Sequence, residues 1–221
     1  MRKYVDLKVW SFSSNVNELR SLIDVGVEMG FWALGITCYP EKLEKTQEIV
    51  KKLTSEGYRV FTSLEIELLS PRALRIMSKL MKKRIFLSIK PLSLEMARRA
   101  VKLKASSIVL PINRNKLIFD SVCAKELLKR EGAVEIHLVD LLKSEEKKLL
   151  RAIRMIRLEV QIARKYGIPI IVSSGATREI ELLDPIIMAS IAETFLKIPK
   201  EAALNSISDY PCSLLEKGGF I

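Results

Sequence analysis

Residues 166–174 read YGIPIIVSS, and together with SSIVLP at 106–111 this stretch decides the fold class. Each is a short, near-continuous apolar run bounded by Gly, Pro or Ser, the pattern of a strand covered on both faces. A sheet buried on both faces is parallel and flanked by helices. Working outward, strand patterns recur at 4–9, 31–37, 58–66, 84–89, 107–111, 134–139 and 168–173. Helical patterns separate them at 15–29, 40–56, 71–82, 93–103, 115–130 and 144–166, with two more at 180–196 and 201–215. Local punctuation agrees. Leu19, Leu22, Ile23 and Val27 recur at helical spacing, Ser14 or Asn15 with Glu18 forms a capping signature, and Gly30 is a natural stop. Regular β–α alternation fits a closed barrel or a doubly wound open sheet, and the missing dinucleotide fingerprint after the first strand favours the barrel. No eighth strand pattern follows Phe195, so helix is expected to close the last slot. The expected architecture is an α/β fold, an incomplete TIM-like barrel of about seven parallel strands with surrounding helices, in one domain spanning 1–221.

Charge says what such a scaffold meets. Lys and Arg total 37 against 26 Asp and Glu, a formal net charge of +11 with a pI near 9.6. A surplus of this size favours polyanions as partners. Cys38, Cys123 and Cys212 are odd in number, far apart and without a C-x-x-C pair, and no secretory apolar segment opens the chain. A reducing, cytoplasmic setting is the expectation. No apolar run approaches the roughly 18 residues of a membrane span, so no membrane partner is expected.

Metal and phosphate chemistry find thin support. His137 is the one histidine, whereas zinc sites draw on several His or Cys ligands. An oxygen-only Mg²⁺ site could draw on Asp6, Glu65, Glu67 and Asp140, although strand-end carboxylates are more often paired with backbone or basic neighbours. No metal or cofactor is expected on this chain. Val172-Ser173-Ser174-Gly175-Ala176-Thr177 is the nearest thing to a phosphate-binding turn, and a tight strand-to-helix turn accounts for it equally well. Lys90, in LSIKP, sits where a barrel lysine could form a Schiff base. These pieces support an alternative function, a barrel enzyme acting on a small phosphorylated substrate.

The stronger signal is basic. In 144–166, Lys147, Arg151, Arg154 and Lys165 fall on one side, with Arg157 and Arg164 flanking. Leu149, Ile153, Ile156, Val160 and Ala163 fall on the other, an apolar stripe for packing. Further clusters stand at Lys82-Lys83-Arg84, Arg98-Arg99, Lys102 with Lys104, Arg114 with Lys116, and Lys129-Arg130. A helix bearing an outward row of Arg can span phosphates along a nucleic-acid backbone. The competing account pairs that row with Glu145, Glu146 and Glu159.

The opening strand, Asp6-Leu7-Lys8-Val9, resembles the first strand of the polymerase-and-histidinol-phosphatase barrels. Those carry a metal-binding histidine where Lys8 stands, and an ammonium cannot ligate a metal. The stretch 168–195, IPIIVSSGATREIELLDPIIMASIAETF, resembles the protein component 3 family of archaeal and eukaryotic ribonuclease P. Ser173-Ser174-Gly175-Ala176 matches its Ser-Ser-Ala turn, Arg178, Glu181 and Pro185 fall at matching places, and Met188 to Ala192 follow. The start YVDLKVW and the end, 199–215, are also similar. Leu183, Ile187 and Val139-Asp140 depart from the pattern, standing where the family has Arg, Asp and Arg. The resemblance identifies the chain as a divergent archaeal member and implies an incomplete seven-stranded barrel. It implies a subunit of an endoribonuclease that matures the 5′ end of precursor tRNA, with catalysis in the RNA and its Mg²⁺ and no catalytic residue on this chain. Implied partners are the ribonuclease P RNA, precursor tRNA, protein component 2 and other protein subunits. The expected RNA contacts are Lys147, Arg151, Arg154, Arg157, Lys165, Arg178, Lys8 and Lys90.

Overall fold

Seven strands hydrogen-bond in the order β1 to β7, every neighbouring pair parallel. They are β1 (Tyr4–Trp10), β2 (Phe31–Cys38), β3 (Val60–Leu68), β4 (Phe86–Pro91), β5 (Ser107–Val109), β6 (Ala133–His137) and β7 (Ile170–Ser173). The helices are α1 (Val16–Glu28), α2 (Leu43–Ser55), α3 (Leu94–Ala100), α4 (Ser121–Lys129), α5 (Leu138–Leu142), α6 (Glu146–Lys165), α7 (Pro185–Leu196), α8 (Lys200–Asn205) and α9 (Asp209–Gly218). This computed structural model describes residues 2–11, 16–68, 85–103, 105–112, 114 and 116–220. The helix expected at 71–82, the cap at Ser14 or Asn15, the cluster at 82–84 and Lys104 lie outside the described residues.

The sheet closes on itself by two different devices. At the C-terminal end of the strands, the Trp10 N–H donates to Ala176 O at 2.8 Å and the Gly175 N–H to Lys8 O at 3.0 Å. At the other end the gap between β1 and β7 is wider, and the joint between α8 and α9 fills it. There the Val5 N–H donates to Ile207 O at 2.9 Å and the Val172 N–H to Ser206 O at 3.1 Å. Helix thus takes the eighth strand's place. The single helix expected over 201–215 is broken because the carbonyls of Ser206 and Ile207 serve the sheet edges.

Other departures have local causes. The strand expected over 134–139 ends at His137 because α5 starts at once. The helix expected over 115–130 begins only at Ser121, where Asp120 caps it by accepting from the amides of Val122 and Cys123 at 3.1 and 2.9 Å. The helix expected from 180 begins at Pro185, capped by Asp184, which accepts from the Ile186 N–H at 2.7 Å.

One core lies between sheet and helices, filled by residues such as Leu34, Ile36, Leu64, Ile89, Ile136, Ile156 and Val172. A smaller one lies inside the N-terminal half of the barrel: Val5, Leu7, Ala33, Phe61, Phe86, Ala133 and Ile171, plugged by Leu215 with Phe220 against it. Phe220 packs edge-on against Phe86 at 5.9 Å. Gly35 is required here, since a Cβ would lie 2.3 Å from Leu7 O. On β3, β4, β6 and β7 side chains alternate between faces, so the residues two and four beyond this apolar layer also point inward, while on β1 a register shift between Asp6 and Val9 accompanies Lys8 on the inside. Those residues are polar, and they build the interior described next.

Candidate nucleic-acid interface and the barrel interior

Phe61 is followed on the inward face of β3 by Ser63, Glu65 and Glu67; Phe86 on β4 by Ser88 and Lys90; Ala133 on β6 by Glu135 and His137. These groups meet on the barrel axis. The Glu135 carboxylate accepts from Ser88 Oγ at 2.9 Å, Ser173 Oγ at 3.0 Å and Ser107 Oγ, and His137 Nε2 lies 3.2 Å from it. Lys8 Nζ lies 3.5 Å from Glu65 Oε2, and neither side chain has appreciable solvent exposure. Burial pushes Glu135 upward, but the Lys8 charge, His137 and Ser107 outweigh it and hold the carboxyl at about 2. Burial lowers the His137 pKa, yet the charge of Glu65 and the bond to Glu135 raise it further, so the net shift is upward. Asp6 is pushed up to about 6 by burial, against hydrogen bonds from Ser174 and Lys8 that lower it.

Lys8, expected from sequence among the RNA contacts, presents no surface to a partner. Its side chain is fully buried, a correction to the sequence expectation. A lysine flanked by Leu7 and Val9 in a strand looks like any other cation in sequence; the register shift in β1 between Asp6 and Val9 is what the alternating pattern does not announce. The four carboxylates considered for Mg²⁺ face the chain's own groups, while Asp6 Oδ2, Glu65 Oε2 and Lys8 Nζ are buried without a hydrogen-bond partner among the described residues. Asp6 accepts from the amides of Lys8 and Ser174, both at 3.1 Å, Glu65 faces Lys8, and Glu67 and Asp140 face Lys90 at 3.9 and 3.6 Å. Among the described residues no cluster of three or more His, Cys, Asp or Glu has metal-holding geometry.

Lys90 sits at the barrel mouth, beside a cavity of about 340 Å³ lined also by Glu67, Asp140, Lys143, Glu145 and Lys148. Burial lowers its pKa, but Asp140, Glu65 and Glu67 raise it more. The amine is a fixed ammonium, not the neutral nucleophile a Schiff base needs, and its charge is already matched.

The turn after β7 is also spoken for. The amide of Ser174 donates to Asp6, that of Gly175 to Lys8 O, that of Ala176 to Ser174 Oγ at 3.0 Å and that of Thr177 to Glu181 at 2.9 Å. A phosphate would find no free donor there and two carboxylates close by. Glu181, which no sequence motif singles out for this role, organises the next turn: it binds Thr177, Arg178 at 2.8 Å and Lys143 at 2.8 Å. Burial raises its pKa, but Lys143, Thr177 and Arg178 hold it at about 2. Arg178 keeps a largely exposed side chain while making this bond.

The outer surface differs. Ala152, Ile153, Ile156, Val160 and Ala163 bury the inner stripe of α6. Lys147, Arg151, Arg154, Arg164 and Lys165 are exposed on the outer side. Among the described residues Lys147, Arg154, Arg164 and Lys165 have no ion-pair partner. Arg157 is half-buried and donates to Phe195 O at 2.7 Å, tying α6 to α7. Glu159 is not the solvated partner of this row. It is fully buried, ion-paired with Arg114, and accepts from the amides of Ile118 and Phe119 at 2.7 and 3.0 Å. Arg114 is thereby withdrawn from the surface clusters. Others are locally neutralised: Arg98 by Asp120, Arg99 by Glu95 and Lys129 by Glu126.

The family model for RNase P subunit p30 matches residues 3–219. The chain belongs to the RNase P subunit p30 family. Relatives of this family include ribonuclease P protein component 3 of Methanosarcina barkeri, 23% identical over 217 residues that cover 97% of this chain and 90% of the relative. A chain in the cryo-EM structure of archaeal ribonuclease P with mature tRNA superposes with a TM-score of 0.81 at 17% identity, covering 98% of this chain and 91% of that one. An amidohydrolase superposes at 0.64 and 12% identity, covering 98% and 74%, which shows that the barrel itself is shared with hydrolases. Within the p30 family, this chain's barrel interior is a set of internally matched charges.

Proposed function

We propose that this chain works as a protein subunit of ribonuclease P, in the cytoplasm, where its α6 face shields phosphates of the catalytic RNA during 5′ maturation of precursor tRNA. Bond cleavage is left to the RNA and the Mg²⁺ it carries. The observation that carries the reading is the match to the p30 family over nearly the whole chain. The charge distribution supports it: cations without partners among the described residues line the outer side of α6, and those inside the barrel are paired. Long-range attraction to a polyanion follows from the net charge of +11. Recognition rests on backbone and shape, since a row of Lys and Arg reads phosphates and not bases. Protein component 2 and the other protein subunits are the expected companions. Among the described residues no helix is long and apolar enough to cross a membrane. The small-substrate enzyme is not favoured, because the turn amides are occupied and Lys90 is held as an ammonium.

Tagging the chain in its native source and sequencing the RNA that copurifies tests the reading. Recovery of a structured RNA that cleaves precursor tRNA at the mature 5′ end is expected. Recovery of no such RNA, together with turnover of a small molecule by the isolated chain, contradicts it.

A further inference from the structure

The exposed apolar side chains are not spread evenly. Among the described residues seven of the twelve large exposed apolar side chains, Leu142, Leu150, Leu158, Ile180, Ile186, Ile187 and Phe195, lie from α5 to the end of α7, and the other five are Val27, Tyr39, Leu92, Val122 and Leu128. On α7, Ile187, Ile191 and Phe195 recur every four residues and form one strip along the helix. Ile187 and Phe195 are about half exposed, at 51% and 47%. Ile191 between them is half-buried against the main core. The bond from Arg157 to Phe195 O fixes which flank of α6 faces this strip. Leu150, Arg157 and Arg164 share that flank at a spacing of seven, and Leu150 is 65% exposed. The groove between α6 and α7 thus has an apolar floor and an arginine rim. Lys147, Arg151 and Lys165 lie further round α6.

We propose that this groove docks an amphipathic helix of another protein, with apolar residues along one strip and Asp or Glu along its edge. Three considerations choose this occupant. Phosphates gain nothing from Leu150, Ile187 and Ile191, so RNA leaves the floor uncovered. A second copy of this chain would bring a net charge of +11 and the same arginine rim against itself. A helix with an acidic edge matches Arg157 and Arg164, and a helix laid in an apolar groove buries side chains at the spacing the floor presents. The proposal deepens the ribonuclease P reading by giving one side of the α6–α7 pair to protein and the outer side of α6 to RNA.

The test uses the holoenzyme reconstituted from its RNA and protein subunits, with Ile187→Glu/Phe195→Glu and the milder Ile187→Ser/Phe195→Ser. Circular dichroism checks that each variant folds. Native mass spectrometry of the protein subunits without RNA, and RNA binding by this chain alone, are read separately. The expected result is at least a tenfold weaker association with a protein subunit, graded from Ser to Glu, with RNA affinity changed less than twofold. Arg157→Glu/Arg164→Glu should weaken the same association. Unchanged protein association overturns the proposal. So does a parallel loss of RNA affinity, which makes RNA the occupant, or a wild-type homodimer abolished by the variants. If the wild-type chain joins neither RNA nor any protein subunit, the ribonuclease P reading fails as well.

Discussion

Inside the barrel Lys8, with no solvent exposure, faces Glu65, and at its mouth Lys90 stands between Glu67 and Asp140. On the outer side of α6, Lys147, Arg154 and Lys165 face solvent without ion-pair partners among the described residues. The residue types are the same and the roles opposite. A buried ammonium is tolerable only where carboxylates compensate its desolvation, and that compensation removes it from contact with anything outside. An exposed guanidinium costs little to display and keeps its charge for a partner. Stability and binding should therefore separate cleanly between the two regions.

The largest expected effect is on the inside. Lys8→Met leaves Glu65 and Glu135 with His137 as their remaining cationic neighbour, and unfolding by urea should show a loss of about 3–5 kcal/mol. Adding Glu65→Gln should restore part of that loss, because it removes the charge left behind. A loss that stays the same in the double variant would mean that Lys8 acts through packing alone.

The second effect is its pH signature. The folded pKa of His137 is raised above the ordinary value of 6.5, so the imidazolium contributes stability below that value and loses it as pH rises through the folded pKa. Glu135, held at about 2 against 4.5, contributes above 4.5 and loses its contribution as pH falls toward 2. In the wild type unfolding free energies should decline as pH rises from 6.5 through the folded pKa of His137, and His137→Gln should flatten that decline. An equal slope in both proteins would place the titration elsewhere.

Much of the architecture is legible in the sequence because both-face burial writes apolar runs such as 168–173 and helices write their periodicity. Which cations are already matched is not legible. Arg114 and Glu159 are 45 residues apart and meet only because α6 packs over the loop before α4. Inward carboxylates at alternate positions, Glu65 and Glu67 on β3 and Glu135 before His137 on β6, are the available signal of a polar interior. Such carboxylates read in sequence as candidate ligands for Mg²⁺, whereas barrel closure brings lysines from β1 and β4 among them. The helices expected over 115–130 and 201–215 are cut short by tertiary hydrogen bonds, which local pattern does not encode.

Smaller effects belong to the outside. Replacing Lys147, Arg154 and Lys165 with alanine should change stability by no more than about 0.5 kcal/mol, since none is buried or, among the described residues, ion-paired. A cost like that of Lys8→Met would erase the contrast. Arg178→Ala belongs to the same small order. Lys143 and Thr177 still hold Glu181, so melting should be nearly unchanged, with any loss within about 1 kcal/mol for an exposed pair.

The salt dependence of RNA binding tests the division most directly. With Lys147, Arg151, Arg154 and Lys165 all changed to alanine, the slope of log affinity against log salt should fall by about 3, at roughly 0.7–0.9 for each phosphate no longer neutralised. Lys90→Gln should leave it at the wild-type value. A quadruple variant that keeps the full slope, or a Lys90 variant that loses it, would put the RNA at the barrel mouth and contradict the account.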